Sequence, residues 1–142
     1  MTYSIENPHE IHAVLDRSAL LSYARGHVHI GELLIDVADE EANLAIPAVT
    51  LADAHASLLE DEHARALLRL LVTLPGTAVL RLDAATADAM APTCVQTGGD
   101  TSKAHAVWAA NHLGALYLTT EPDTVASLVP PDYILPIPAK DA

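Results

Sequence analysis

Four carboxylates in this chain are spaced so that a β-sheet could gather them at one rim. Asp16 closes the short apolar run His12-Ala13-Val14-Leu15, and helix-forming sequence begins about two residues later. Glu121 follows a second such run, Ala115 to Thr119. Asp53 lies about one and a half turns into a helix that leaves a strand, and Asp100 opens a helix after a double glycine. In open α/β sheets, ligands bind outside the carboxyl ends of the strands. Carboxylates meeting there repel one another without a cation, so such a cluster is a natural Mg²⁺ or Mn²⁺ site with room for substrate phosphate. A divalent ion in that position can activate water and neutralise charge developing on a phosphodiester. The plainer alternative is that Asp16 or Ser18 only caps the next helix, and that Asp53 is an ordinary exposed acid.

Composition narrows the classes. A chain of 142 residues with 51% hydrophobic side chains suits one domain over residues 1–142 with a real core. The net charge of −12 repels phosphate backbones, so nucleic-acid binding would need metal ions or a local basic patch. The lone cysteine, Cys94, excludes an internal disulfide and reads as a small core residue. No apolar run approaches the ~18 residues of a membrane span, and the first residues lack the basic and apolar regions of a signal peptide. The expectation is a soluble cytoplasmic protein without membrane contact.

The elements that must position the acids alternate. After a polar lead-in to Ile11 and the first strand comes a helix from Ser18 to Arg25, ended by Gly26. His27 and His29 follow in a loop or helix start, where their side chains diverge, so no metal pair is expected. Ile30, Leu33, Leu34, Val37 and Ala38 give an amphipathic helix whose acids are a solvated face. Asn43 to Pro47 reads as a buried strand, Val49 to Leu59 and Asp61 to Leu74 as helices, and Thr77 to Leu82 as a third strand. The acids Glu60-Asp61-Glu62 offset a helix dipole and receive no catalytic role.

Asp83 to Val95 reads as one weak alanine-rich helix interrupted by Pro92. Gly98-Gly99-Asp100-Thr101 is a break and helix start without the lysine of a phosphate loop. The helix that follows, to Leu113, brings Asp100 and Lys103 onto one face, with Trp108 as a packing residue. Ala115 to Thr119 is a fourth strand, Val125 to Val129 a turn or two of helix, and Tyr133 to Pro138 a proline-bearing edge strand. The pattern is α/β: three α/β/α layers with a central, mostly parallel sheet, in which Leu15, Ile46, Val79 and Leu118 are strand residues.

The chain resembles the PIN-domain family, the fold of VapC-type toxins and related metal-dependent ribonucleases, from Ala13 to about Pro138. Val14-Leu15-Asp16-Arg17-Ser18-Ala19-Leu20-Leu21 resembles the family's opening strand, with Asp16 as its first acid and Ser18 as its hydroxyl. Ile46-Pro47-Ala48-Val49-Thr50-Leu51-Ala52-Asp53-Ala54 resembles the second motif, with Asp53 where Glu is usual. Leu118-Thr119-Thr120-Glu121 resembles the closing strand motif, with Glu121 where Asp is usual and Asp123 nearby. The third motif departs: counted back from Gly114-Ala115, the expected Asp is Lys103, and Asp100 lies one turn earlier. A protonated lysine cannot ligate Mg²⁺.

The resemblance implies a toxin-type ribonuclease dependent on Mg²⁺ or Mn²⁺ that cleaves RNA phosphodiesters, with weakened metal affinity. Asp16 and Asp100 would be its metal ligands, Asp53 and Glu121 would complete the catalytic set, and Ser18, Lys103 and Thr119 would position acids or phosphate. It also implies a cognate antitoxin protein and a homodimer. Two other classes remain open. One is a catalytically inactive PIN-like module acting through protein contacts, with Lys103 as built-in counter-ion. The other is a small-molecule hydrolase or binding protein using the same rim, for which no nucleophile motif speaks.

Overall fold

Val14 and Leu15, Ala45 and Ile46, and Tyr117 and Leu118 point their side chains to opposite faces of one sheet, as strand geometry requires. A computed structural model of the chain describes residues 11–40 and 42–139, the side chains of Val37 and Ala38 excepted. The strands are β1 (Ile11–Leu15), β2 (Asn43–Pro47), β3 (Thr77–Leu80), β4 (Leu116–Thr119) and β5 (Ile134–Pro136). Their order in the sheet is β3-β2-β1-β4-β5, and every neighbouring pair runs parallel.

Helices cover both faces. On one side pack α1 (Arg17–Ala24), α2 (Val28–Asp39), α3 (Ala48–Ser57) and α4 (Glu62–Leu71), whose buried Leu20, Leu21, Ile30, Leu34, Ala54, Leu68 and Leu71 meet Leu15, Ile46 and Leu118. On the other side lies α7 (Thr101–Leu113), with α5 (Ala84–Ala89) and α6 (Ala91–Gln96) preceding it. Ala106, Val107, Ala109 and Ala110 of α7 are fully buried against Val14, Ala45 and Tyr117. Small side chains there let the helix approach the sheet closely, and Gly114 ends it in the left-handed conformation at φ 64°.

All strands run one way, so the carboxyl ends of β1 and β4 lie side by side at one rim. The connection leaving β1 leads towards β2, whereas that leaving β4 leads towards β5. That reversal is the switch point at which open α/β sheets leave a crevice. The backbone ties the two ends together, Asp16 N donating to Leu118 O at 3.2 Å.

Several local expectations need correction. The expected single helix from Asp83 to Val95 is two short helices, α5 and α6, joined at Met90. Neither has a buried residue, so no apolar face holds them as one rod. Pro92 lies in the first turn of α6, where its missing N–H costs nothing, rather than interrupting a helix. Cys94 is half-buried, not a core residue. The turn or two of helix expected from Val125 to Val129 is one hydrogen-bonded turn, Val129 N donating to Val125 O at 3.0 Å, and it follows a 3₁₀ turn over Pro122–Val125. β3 and β5 are shorter than expected and both are edge strands, Val79 being 41% exposed. Of the polar lead-in, only Ile11 lies within the described residues, and it opens β1. No helix among the described residues is long and apolar enough to cross a membrane.

Candidate active site

The site is built outward from Asp16, which β1 delivers to the rim and α1 holds there. It is the N-cap of α1, so its Oδ1 accepts from Ala19 N at 2.9 Å. The same oxygen accepts the Ser18 hydroxyl at 2.6 Å. Capping and site placement are therefore one arrangement and not alternatives. Both residues are buried, Asp16 6% and Ser18 8% exposed, with Thr119 fully so.

Ser18 knits the two strand ends together. Its Oγ accepts from Thr120 N at 2.8 Å and lies 3.2 Å from Thr119 Oγ1. Because the single Ser18 proton goes to Asp16, Thr119 is the donor in that contact. The Ser18 oxygen then donates once and accepts twice, which is its full capacity. Thr119 Oγ1 in turn accepts from Glu121 N at 2.9 Å, fixing the start of the segment after β4.

α7 supplies the opposite wall. Asp100 is its N-cap, accepting from Lys103 N at 3.0 Å. Asp16, Ser18, Asp100, Lys103 and Glu121 then line one cavity of about 80 Å³, together with Arg17, Ser102 and Tyr117. Three of the four expected acids thus meet at one rim. Asp53 does not join them. Its carboxylate faces Arg17 (Nε to Oδ2 3.4 Å), and the same guanidinium bonds Ser57 Oγ at 2.8 Å. Thr119 lies behind the wall, acting through Ser18 and Glu121 rather than facing the cavity. The ammonium of Lys103 has no carboxylate within ion-pair distance among the described residues.

Tyr117, Arg17 and Ser102 line this cavity without having stood out in the sequence. Tyr117 packs its ring in the core beneath α7, while its buried hydroxyl approaches the Asp16 carboxylate without completing a well-formed hydrogen bond among the described residues. Burial first, and then the negative charges of Asp16, Asp100 and Glu121, hold that phenol protonated far above its ordinary titration range. It is a neutral donor facing acids, not a base.

The donor set is oxygen-rich, as hard divalent cations prefer. Yet among the described residues no three His, Cys, Asp or Glu side chains converge closely enough to hold a metal ion. One oxygen of Asp16 and one of Asp100 already accept backbone N–H groups, and the cavity carries Arg17 and Lys103 against its three acids. The residues do not fit a preformed, tightly held cation.

No family model matches the chain, and no curated protein matches its sequence. Solved structures do match its fold. PAE2754 from Pyrobaculum aerophilum superposes with a TM-score of 0.65 at 18% identity, over 94% of this chain and 89% of that one. VapBC2 from Rickettsia felis, bound to a DNA fragment from their promoter, gives 0.64 at 14% identity, over 89% of this chain and 99% of that one. At such identities the likeness is one of fold. It agrees with the PIN-like α/β architecture that the sequence resemblance implied, here with a wholly parallel sheet.

Proposed function

We propose that this chain is a PIN-like ribonuclease of toxin type, weak in cation affinity, that cleaves RNA phosphodiesters at the β1–β4 rim. The observation that carries the reading is the common cavity of Asp16, Ser18, Asp100 and Glu121 at the switch point. Arg17 and Lys103 supply positive charge for the phosphodiester in an otherwise acidic molecule. Asp16, held by Ser18 and Ala19, with Asp100 and Glu121 beside it, provides carboxylates that can take a proton from the attacking group. Mg²⁺ or Mn²⁺ is the cofactor implied by the resemblance, and no step here rests on it. Asp53 keeps Arg17 in place and is a positioning residue in this reading. The likeness to VapBC2 supports an antitoxin protein as partner. A cytoplasmic homodimer, each copy one PIN-like domain, completes the proposal.

A second reading, a catalytically inactive PIN-like module working through protein contacts, is favoured by one observation. Lys103 stands where the family's third acid is expected, and among the described residues no three acids converge closely enough to hold an ion. Incubating end-labelled single-stranded RNA with wild type and with Asp16→Asn, with Mn²⁺ and with chelator, separates the two. The ribonuclease reading expects slow cleavage that Asp16→Asn abolishes. Wild-type cleavage no greater than that of Asp16→Asn at every Mn²⁺ concentration contradicts it and leaves the module.

A further inference from the structure

Of the seven Lys and Arg residues of this chain, Arg17 and Lys103 line the acidic cavity, and Arg17 and Arg25 line a second cavity beside it. This neighbour, about 280 Å³, also carries His27 and Thr120 and shares Arg17, Ser18 and Glu121 with the first. It lies between the carboxyl end of α1, the turn into α2 and the segment after β4.

Its groups are those that grip a phosphate: a guanidinium, an imidazole and a hydroxyl. Arg25 is exposed and, unlike Arg65 and Arg69, has no ion-pair partner among the described residues. His27 is held in place by Ser22, whose Oγ lies 3.2 Å from its Nδ1. The left-handed Gly26 (φ 77°) turns the chain so that Arg25 and His27 can line the same cavity. Among the described residues lining this cavity, Glu121 is the one acid that opposes an anion there.

We propose that this second cavity is a phosphate subsite for single-stranded RNA, in which Arg25 and His27 bind the phosphate neighbouring the one held by Arg17 and Lys103. The inference rests on the ribonuclease reading of the adjacent rim and adds its substrate-binding register. Two contiguous cavities, each with a cation and joined through Arg17, match a strand of repeating phosphates better than a single anion. They also show how a molecule of net charge −12 could hold nucleic acid at all.

The test is equilibrium binding of a fluorescent single-stranded RNA octamer across a salt series, in chelator, to wild type, Arg25→Gln, Arg25→Lys and Glu121→Gln. Loss of one phosphate contact on a single strand lowers the slope of log K against log salt by about 0.7. Arg25→Gln should show that loss and bind severalfold more weakly, Arg25→Lys should keep the slope, and Glu121→Gln should bind more tightly. An octamer with a neutral methylphosphonate at one central linkage should lose its sensitivity to Arg25→Gln. Wild-type binding with a slope that Arg25→Gln leaves unchanged overturns the subsite, whether or not RNA is cleaved. An Arg25-dependent slope in a protein that never cleaves RNA upholds the subsite and removes the ribonuclease reading. Absence of RNA binding overturns both. An acidic peptide of equal charge that displaces RNA at equal concentration, dependent on Arg25, overturns RNA in favour of a protein ligand.

Discussion

Replacing Ser18 by Ala tests whether the rim is held together by one hydroxyl. The Ser18 oxygen donates to Asp16 Oδ1 at 2.6 Å, accepts from Thr120 N at 2.8 Å and faces Thr119 Oγ1 at 3.2 Å. A hydrogen bond to a charged group contributes about 1.5–3 kcal/mol and a neutral one about 1 kcal/mol. Water reaching Asp16 from the cavity would recover part of the first, so the net loss is about 2 kcal/mol. With a urea m-value of about 2 kcal/mol/M, the unfolding midpoint should fall by about 1 M. Thr119→Val should cost less alone, because it removes a donor to Ser18 and an acceptor for Glu121 N but touches no charge. In a double-mutant cycle the two substitutions should couple by at least about 0.5 kcal/mol, as residues in one network do. A midpoint within about 0.2 M of wild type for Ser18→Ala, at unchanged m, would refute the network as the device that joins β1 to β4.

Tyr117→Phe removes a buried hydroxyl that completes no well-formed hydrogen bond, so stability should stay level or rise by up to about 1 kcal/mol in the same urea assay. A loss of more than about 1 kcal/mol would instead show that the hydroxyl anchors Asp16 in solution. Burial lowers the pKa of His105, and burial followed by Arg65 and Arg69 lowers that of His55. Each therefore binds a proton more readily unfolded than folded between its lowered folded value and the ordinary 6.5. Their contribution is intact above pH 6.5 and is lost as pH falls below it. Thermal melts from pH 7.5 to 5 should show a stability decline that His105→Gln makes shallower; an identical pH profile contradicts the assignment to His105.

Much of this arrangement is readable in the sequence because it depends on chain order. β2 begins and ends where the apolar run Asn43 to Pro47 does, closed by its proline. Asp16 and Glu121 reach one rim because the parallel strands β1 and β4 carry their carboxyl ends the same way, and Asp100 reaches it as the N-cap of α7. Asp61 caps α4, as its acidic start implies. What spacing does not reveal is pairing across the fold. The meeting of Asp53 with Arg17, which takes Asp53 out of the cavity, depends on α3 packing against α1. Tyr117 reads as a core aromatic, and it is one; only the third dimension brings its hydroxyl to the acids. The break between α5 and α6 is hidden for the opposite reason, because residues with no buried face leave no periodic signal.

If Asp16 and Lys103 share one site, the lysine weakens its affinity for a divalent cation. Mn²⁺ titrated against thermal stability in wild type, Lys103→Asp, and Lys103→Asp with Asp16→Asn measures it directly. A ligand that binds only the folded state stabilises it, by about 2.7 kcal/mol at a hundredfold excess over Kd. Lys103→Asp removes a positive charge and adds a carboxylate beside Asp100 and Asp16, so its melting temperature should climb steeply with Mn²⁺. Wild type should respond only towards millimolar Mn²⁺, in the range of low-charge oxygen sites. The double variant should lose the gain. Equal responses in all three proteins would contradict a shared site and, with it, the reading of the rim as a lysine-weakened metal centre.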